Sequence, residues 1–162
     1  MFTIPVGNFK RVATGYRPSA NSVSTTPIGS VSDVTNAYDS DPSTYSYASS
    51  STGTTETIYS GFTSVVASSA ILDMNIFAVV NGAVSPNITI DISYNGGSSY
   101  DFSVPITWYP FGPNVWVTSG IDRDVLWAIP DNINLASVKI KVKTGVSTSA
   151  GSIMIYDIVI NQ

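Results

Sequence analysis

Asp39 and Asp41 sit two residues apart in NAYDSDPSTYSYASSSTG, the stretch from 36 to 53. Carboxylates at that spacing could hold Ca²⁺, act as a hydrolytic pair, or close a turn. A twelve-residue Ca²⁺ loop beginning at Asp39 needs Gly at its sixth position and Glu at its twelfth. Thr44 and Ser50 stand there, so that loop is excluded. An irregular Ca²⁺ site made of Asp39, Asp41 and backbone carbonyls stays open. The simpler reading is a DPST turn, in which Asp41 accepts from the backbone ahead and Pro42 fixes φ. Asp122 and Asp124 form a second pair. Hydrolysis by either pair requires two carboxyls opposed across a cleft, one with its pKa raised by an apolar pocket. Asp in Ser-rich turns is solvated instead. The chain has no His and no Cys, which removes histidine triads, cysteine nucleophiles, disulfides and His- or thiolate-ligated metals. GTTET and NGGSS lack the Lys and the strand-to-helix setting of a phosphate loop. The expectation is a protein that is not an enzyme.

The aromatics are the other side chains able to act. TWYPFGPNVW gathers Trp108, Tyr109, Phe111 and Trp116 in one proline-rich loop. Exposed, such rings stack on sugars or anchor a protein interface, because rigid aromatics offer large area at small entropic cost. The alternative is a loop folded over the end of the core as a plug. Trp127, in the apolar run VLWAIP, reads as core. Tyr45 and Tyr47 flank Ser46 and are expected to face the same way.

The elements that must carry these residues are β-strands. Hydrophobic residues make up 43% of 162, enough for one cored domain. Charged residues are only 11%, against about 25% in a typical soluble domain. Glu56 is the single glutamate among 11 acidic residues, so the usual helix-surface residues are scarce. AILDMNIFAVV places Leu72, Met74, Ile76, Ala78 and Val80 on one face. NITIDISY alternates Ile88, Ile90, Ile92 and Tyr94 with polar residues, and NGGSS then reads as a hairpin turn. SVKIKVK puts Val138, Ile140 and Val142 inside and Lys139, Lys141 and Lys143 outside, a solvated face that also guards against edge pairing. SIMIYDIVI is apolar on both faces, which fits a central strand or one covered by another subunit. DRDVLWAIP comes nearest to a helix, and Pro130 cuts it short. Residues 21–56 show few strand signals and read as a long looped region.

These patterns predict an all-β antiparallel sandwich of jelly-roll type over 21–162, preceded by an extended N-terminal arm over 1–20. The net charge of −4 and a single lysine cluster speak against nucleic acid. No apolar run approaches a membrane span, and the N-terminus lacks a signal-peptide pattern, so synthesis in a host cytoplasm is expected.

Two resemblances bear on function. NAYDSDPSTYSYA resembles the first loop of discoidin-like and galactose-binding-like jelly rolls, and ASVKIKVKTGVSTSAGSIMIYDIVI is similar to their final pair of strands. That resemblance implies a structural Ca²⁺ at Asp39 and Asp41, though Tyr45 stands where those domains carry a tryptophan. The final third, VWVTSGIDRDVLWAIPDNINLASVKIKVKTG with GSIMIYDIVIN, resembles bacteriophage virion β-sandwich proteins. This second resemblance implies a virion protein, a capsid decoration or cement protein bound to the major capsid protein or another virion protein. Its arm would anchor through Phe2, Ile4 and Phe9, and its last strand would bury a homo-oligomer contact. The alternative is a carbohydrate-binding module with Tyr45, Tyr47, Trp108 and Tyr109 as stacking platforms for a surface glycan.

Overall fold

Alternating isoleucines build the middle of each sheet. A computed structural model describes residues 15–25, 29–41, 43–50, 54–80, 87–106, 121–145 and 151–162. Its strands are β1 (Gly15–Tyr16), β2 (Ala20–Thr25), β3 (Gly29–Ser32), β4 (Ser46–Ser50), β5 (Thr54–Ser60), β6 (Ile71–Val80), β7 (Asn87–Ser93), β8 (Phe102–Ile106), β9 (Ile121–Ala128), β10 (Lys139–Gly145) and β11 (Gly151–Asn161). One sheet runs β2-β5-β10-β7-β8. The other runs β3-β4-β11-β6-β9, with β1 paired to β11 beyond the end of β4. All these pairings are antiparallel. Among the described residues the helical segments are short 3₁₀ turns, at Val34–Tyr38 and Leu135–Ser137, and no helix there is long and apolar enough to cross a membrane. The architecture is an all-β jelly-roll sandwich.

The core lies between the sheets. Leu72, Met74, Ile76, Ile153, Ile155, Ile158 and Ile160 face Tyr59, Ile90, Ile92, Ile140 and Val142, all buried. Full burial of one such aliphatic side chain contributes about 1.5–3 kcal/mol, so the period-two pattern fixes the register of the strands that carry these residues.

Two expectations change, for residues 21–56 and for the lysines of β10, and two open readings are decided, for β9 and β11. Residues 21–56 hold β2, β3 and β4 and are not one long loop. β2 is exposed at all six positions, so it has no buried face to create alternation. The sequence DRDVLWA is extended in β9, with Val125 and Trp127 packed toward the core and Leu126 63% exposed on the other face. β10 is the middle strand of its sheet, so its lysines do not guard an edge. Finally, β11 lies between β4 and β6 and turns its buried isoleucines to its own core, which explains its apolar inner face without a second subunit.

Within the segment expected as an arm, Gly15 and Tyr16 pair with Asn161 and Ile160. Phe2, Ile4 and Phe9 lie outside the described residues, as do Trp108, Tyr109, Phe111 and Trp116.

Candidate ligand-binding face

The loop between β3 and β4 brings Asp39 and Asp41 into one hydrogen-bonded turn. Asp39 Oδ1 accepts from Asp41 N at 2.8 Å, and Asp39 Oδ2 accepts from Thr44 Oγ1 at 2.7 Å. Asp41 Oδ1 accepts from Ser43 Oγ at 2.6 Å and Ser43 N at 2.9 Å, while Thr44 N reaches back to Asp41 O at 3.2 Å. Asx-type bonding of this kind closes a turn without help from elsewhere. Ser40 between the two aspartates adopts φ 70°, the left-handed conformation the tight reversal requires. The Ser43 hydroxyl, and then the Ser43 N–H, hold the Asp41 carboxyl below its ordinary pKa. Among the described residues no three His, Cys, Asp or Glu side chains gather to hold a metal. The donor set here is thus two carboxylates, and both oxygens of Asp39 already serve the turn.

Immediately after this turn the chain enters β4. Ser46 and Ala48 are buried, which turns Tyr47 to the outer face of the six-stranded sheet. There Tyr47 lies opposite Met154 of β11, and Met154 lies opposite Phe77 of β6. Tyr45 shares that parity and is 38% exposed, with its ring 5.4 Å from Tyr156 at an interplanar angle of 60°. The Tyr156 hydroxyl points to Met154 Sδ at 3.9 Å. Tyr45 and Tyr47, singled out in the sequence, therefore join Met154, Tyr156 and Phe77 in one half-exposed apolar face.

A bulge makes this possible. The β11–β6 register shifts between Ile155 and Asp157, while Ile155 and Ile158 both stay buried. Tyr156 and Asp157 consequently emerge side by side on the outer face, where an unbroken strand would send them to opposite faces. Asp157 is gripped by Arg17, the residue after β1: Nε donates to Oδ1 at 3.1 Å and Nη2 to Oδ2 at 2.8 Å. The sequence reading gave no site role to Arg17, Phe77, Met154, Tyr156 or Asp157. Its one usable signal was YD inside SIMIYDIVI, where alternation fails.

The outer face of the five-stranded sheet has a different chemistry. Lys141 pairs with Asp91 at 3.2 Å and lies 4.0 Å over the Tyr100 ring, and Lys143 meets Glu56 at 3.5 Å. That ladder consumes its own charges. At the β8 and β9 edges, Phe102 contacts Tyr94 and Trp127, and Trp127 Nε1 donates to the Tyr94 hydroxyl at 3.0 Å. Trp127 is core-facing, as its apolar run predicts.

Strand order and antiparallel pairing define a two-sheet jelly-roll β-sandwich. No family model and no curated protein matches the sequence. Solved structures do resemble the fold. The K3 cleaved adhesin domain of Lys-gingipain from Porphyromonas gingivalis W83 is similar over 91% of this chain and 94% of its own, at TM-score 0.52 and 10% identity. The module TmCBM61, solved with β-1,4-galactotriose, covers 89% of each chain at TM-score 0.43 and 13% identity. An enzymatically active domain of bacteriophage CBA120 tailspike protein 4 gives TM-score 0.48 and 13% identity, over 86% of this chain and 19% of that one.

Proposed function

We propose that the protein is a non-catalytic glycan-binding module that takes a saccharide on the outer face of its six-stranded sheet. The observation that carries this reading is the exposed Tyr45 ring set against Tyr156, with Tyr47 and Met154 continuing the same face. Exposed phenol rings offer apolar area to the C–H faces of a pyranose, and their hydroxyls remain at the rim for its polar groups. No observation here favours attachment to a capsid. The arm residues invoked for it lie outside the described residues, and the inner face of β11 faces its own core. The Asp39–Asp41 turn serves in this reading as a self-closed support for Tyr45, with no bound cation.

Affinity electrophoresis against a panel of soluble polysaccharides tests the reading. The wild-type chain should be retarded by at least one polymer. Tyr45→Ala and Tyr156→Ala should each weaken retardation about tenfold or more, the loss of roughly 1.4 kcal/mol or more of stacking. A protein that passes every polymer unretarded removes the proposal.

A further inference from the structure

We infer that the Arg17–Asp157 pair is the polar half of this face and makes it select uncharged sugars over carboxylated ones. The inference rests on the tyrosine face being the glycan site. Three observations carry it.

The first is geometry. Two near-parallel bonds of 3.1 and 2.8 Å lock the guanidinium to the carboxylate, and each side chain is 31% exposed. A bidentate pair of this kind holds both groups in one plane. A guanidinium has five N–H donors; Asp157 takes two, which leaves three for other acceptors. Each carboxylate oxygen also keeps a lone pair. The pair thus presents donors and acceptors side by side at a fixed position. Two adjacent hydroxyls of a pyranose, each able to donate and accept, match that set.

The second is placement. The bulge puts Asp157 beside Tyr156 on the same face, so the polar pair adjoins the stacking rings. Gly15 lets β1 lie close against β11: a Cβ there would lie 2.8 Å from Val159 Cγ2, with an Arg17 guanidinium nitrogen at an ordinary contact distance of 3.7 Å. Pro18, the next residue after Arg17, is buried and roots the segment.

The third is charge. Arg17 is already matched by Asp157, so a sugar carboxylate would find no unpaired cation there and would be repelled by Asp157. An uncharged sugar meets neither obstacle.

The test compares neutral polymers (galactan, mannan, xylan, β-glucan) with polygalacturonate and alginate in affinity electrophoresis of the full chain, with thermal melting as the folding control. Wild type should be retarded by a neutral polymer and not by the acidic ones. Arg17→Lys keeps the charge and loses the fork, and should weaken neutral binding about tenfold, as expected for one charge-assisted hydrogen bond. Asp157→Asn should release Arg17 and allow retardation by an acidic polymer, a gain that a purely structural role would not produce. Neutral binding unchanged in both variants, while Tyr45→Ala abolishes it, overturns the role of the pair and leaves the glycan reading standing. Wild-type preference for the acidic polymers overturns the selectivity. Wild type retarded by nothing removes both readings. If Asp157→Asn does not fold, the wild-type comparison still decides.

Discussion

The Tyr59 hydroxyl of β5 donates to the Ser46 hydroxyl of β4 at 3.2 Å, a bond that crosses from one sheet to the other. Ser46 is the buried residue between Tyr45 and Tyr47, so this bond anchors the floor of the outer tyrosine face to the opposite sheet. The Tyr59 ring is fully buried and meets Tyr38 edge-on, with centroids 6.2 Å apart. At 3.2 Å the contact is long for two hydroxyls, so the ring's burial carries more of the stability than the bond does.

That burial makes the fold sensitive to alkali. Desolvation pushes the Tyr59 phenol up to about 12, outweighing the Ser46 bond, which favours the ionised form. Above pH of about 10 the unfolded chain loses this proton while the folded chain keeps it, so stability falls as pH rises. The contribution is complete below about pH 10 and is lost progressively toward about 12, at roughly 1.4 kcal/mol per pH unit. Tyr59→Phe should cost about 1 kcal/mol at neutral pH, from the bond lost at Ser46, and should flatten the alkaline decline. Melting temperatures of both proteins from pH 8 to 12 check this. Parallel slopes would show that Tyr59 is not the group responsible.

Calcium should leave stability unchanged. The Asp39–Asp41 turn is closed by bonds from Asp41 N, Thr44 Oγ1 and both Ser43 donors. Melting in EDTA and in millimolar CaCl₂ should therefore coincide. Thr44→Val should lower stability by about 1 kcal/mol through the lost bond to Asp39. A clear rise of the melting temperature in calcium would restore the cation site that the sequence resemblance implies.

The β7–β8 hairpin should depend on a buried serine. Ser93 Oγ accepts from Gly97 N at 2.9 Å and donates to Asn95 Oδ1 at 2.9 Å, inside a turn with positive φ at Gly96 and Gly97. Ser93→Ala leaves the Gly97 N–H without that acceptor and should cost about 1–3 kcal/mol by chemical denaturation. A change within about 0.5 kcal/mol, the range of ordinary surface substitutions, would mean that solvent replaces the hydroxyl.

How much of this was legible depended on whether a strand buries one face. β6, β7 and β10 do, and their alternating Leu72, Ile90 and Ile140 showed in the sequence as half-buried strands. β2 buries neither face, and the buried Ser46 and Ala48 of β4 are small, so hydroxyl-rich sequence hid both strands. In β9, exposed Leu126 beside core-facing Trp127 erased the polar alternate that would have marked a strand. The candidate face suffered most. Tyr45 and Tyr47 were visible as a pair, but their partner Tyr156 emerges only through a bulge, and a bulge is a register relation between two strands. Arg17 and Asp157 lie 140 residues apart in sequence, so nothing local could join them.

The buried threonine pair offers a measurement that separates a hydrogen bond from the space it occupies. Thr55 of β5 and Thr144 of β10 are opposite each other in register, buried, and joined through their hydroxyls. Either oxygen can be the donor, and the bond links two strands of one sheet. Replacing one threonine by valine preserves shape but strands the other hydroxyl, at a cost of about 1–3 kcal/mol. Replacing both removes the two polar groups together and fills the site with methyls, which can be nearly neutral. Thr55→Val and Thr144→Val should therefore each destabilise, while the double variant should regain most of the loss. A double-mutant cycle by urea denaturation would then give a coupling close to the sum of the two single losses, about 2 kcal/mol or more. Additive losses would show that the threonines contribute independently and that the hydroxyl contact does not couple them.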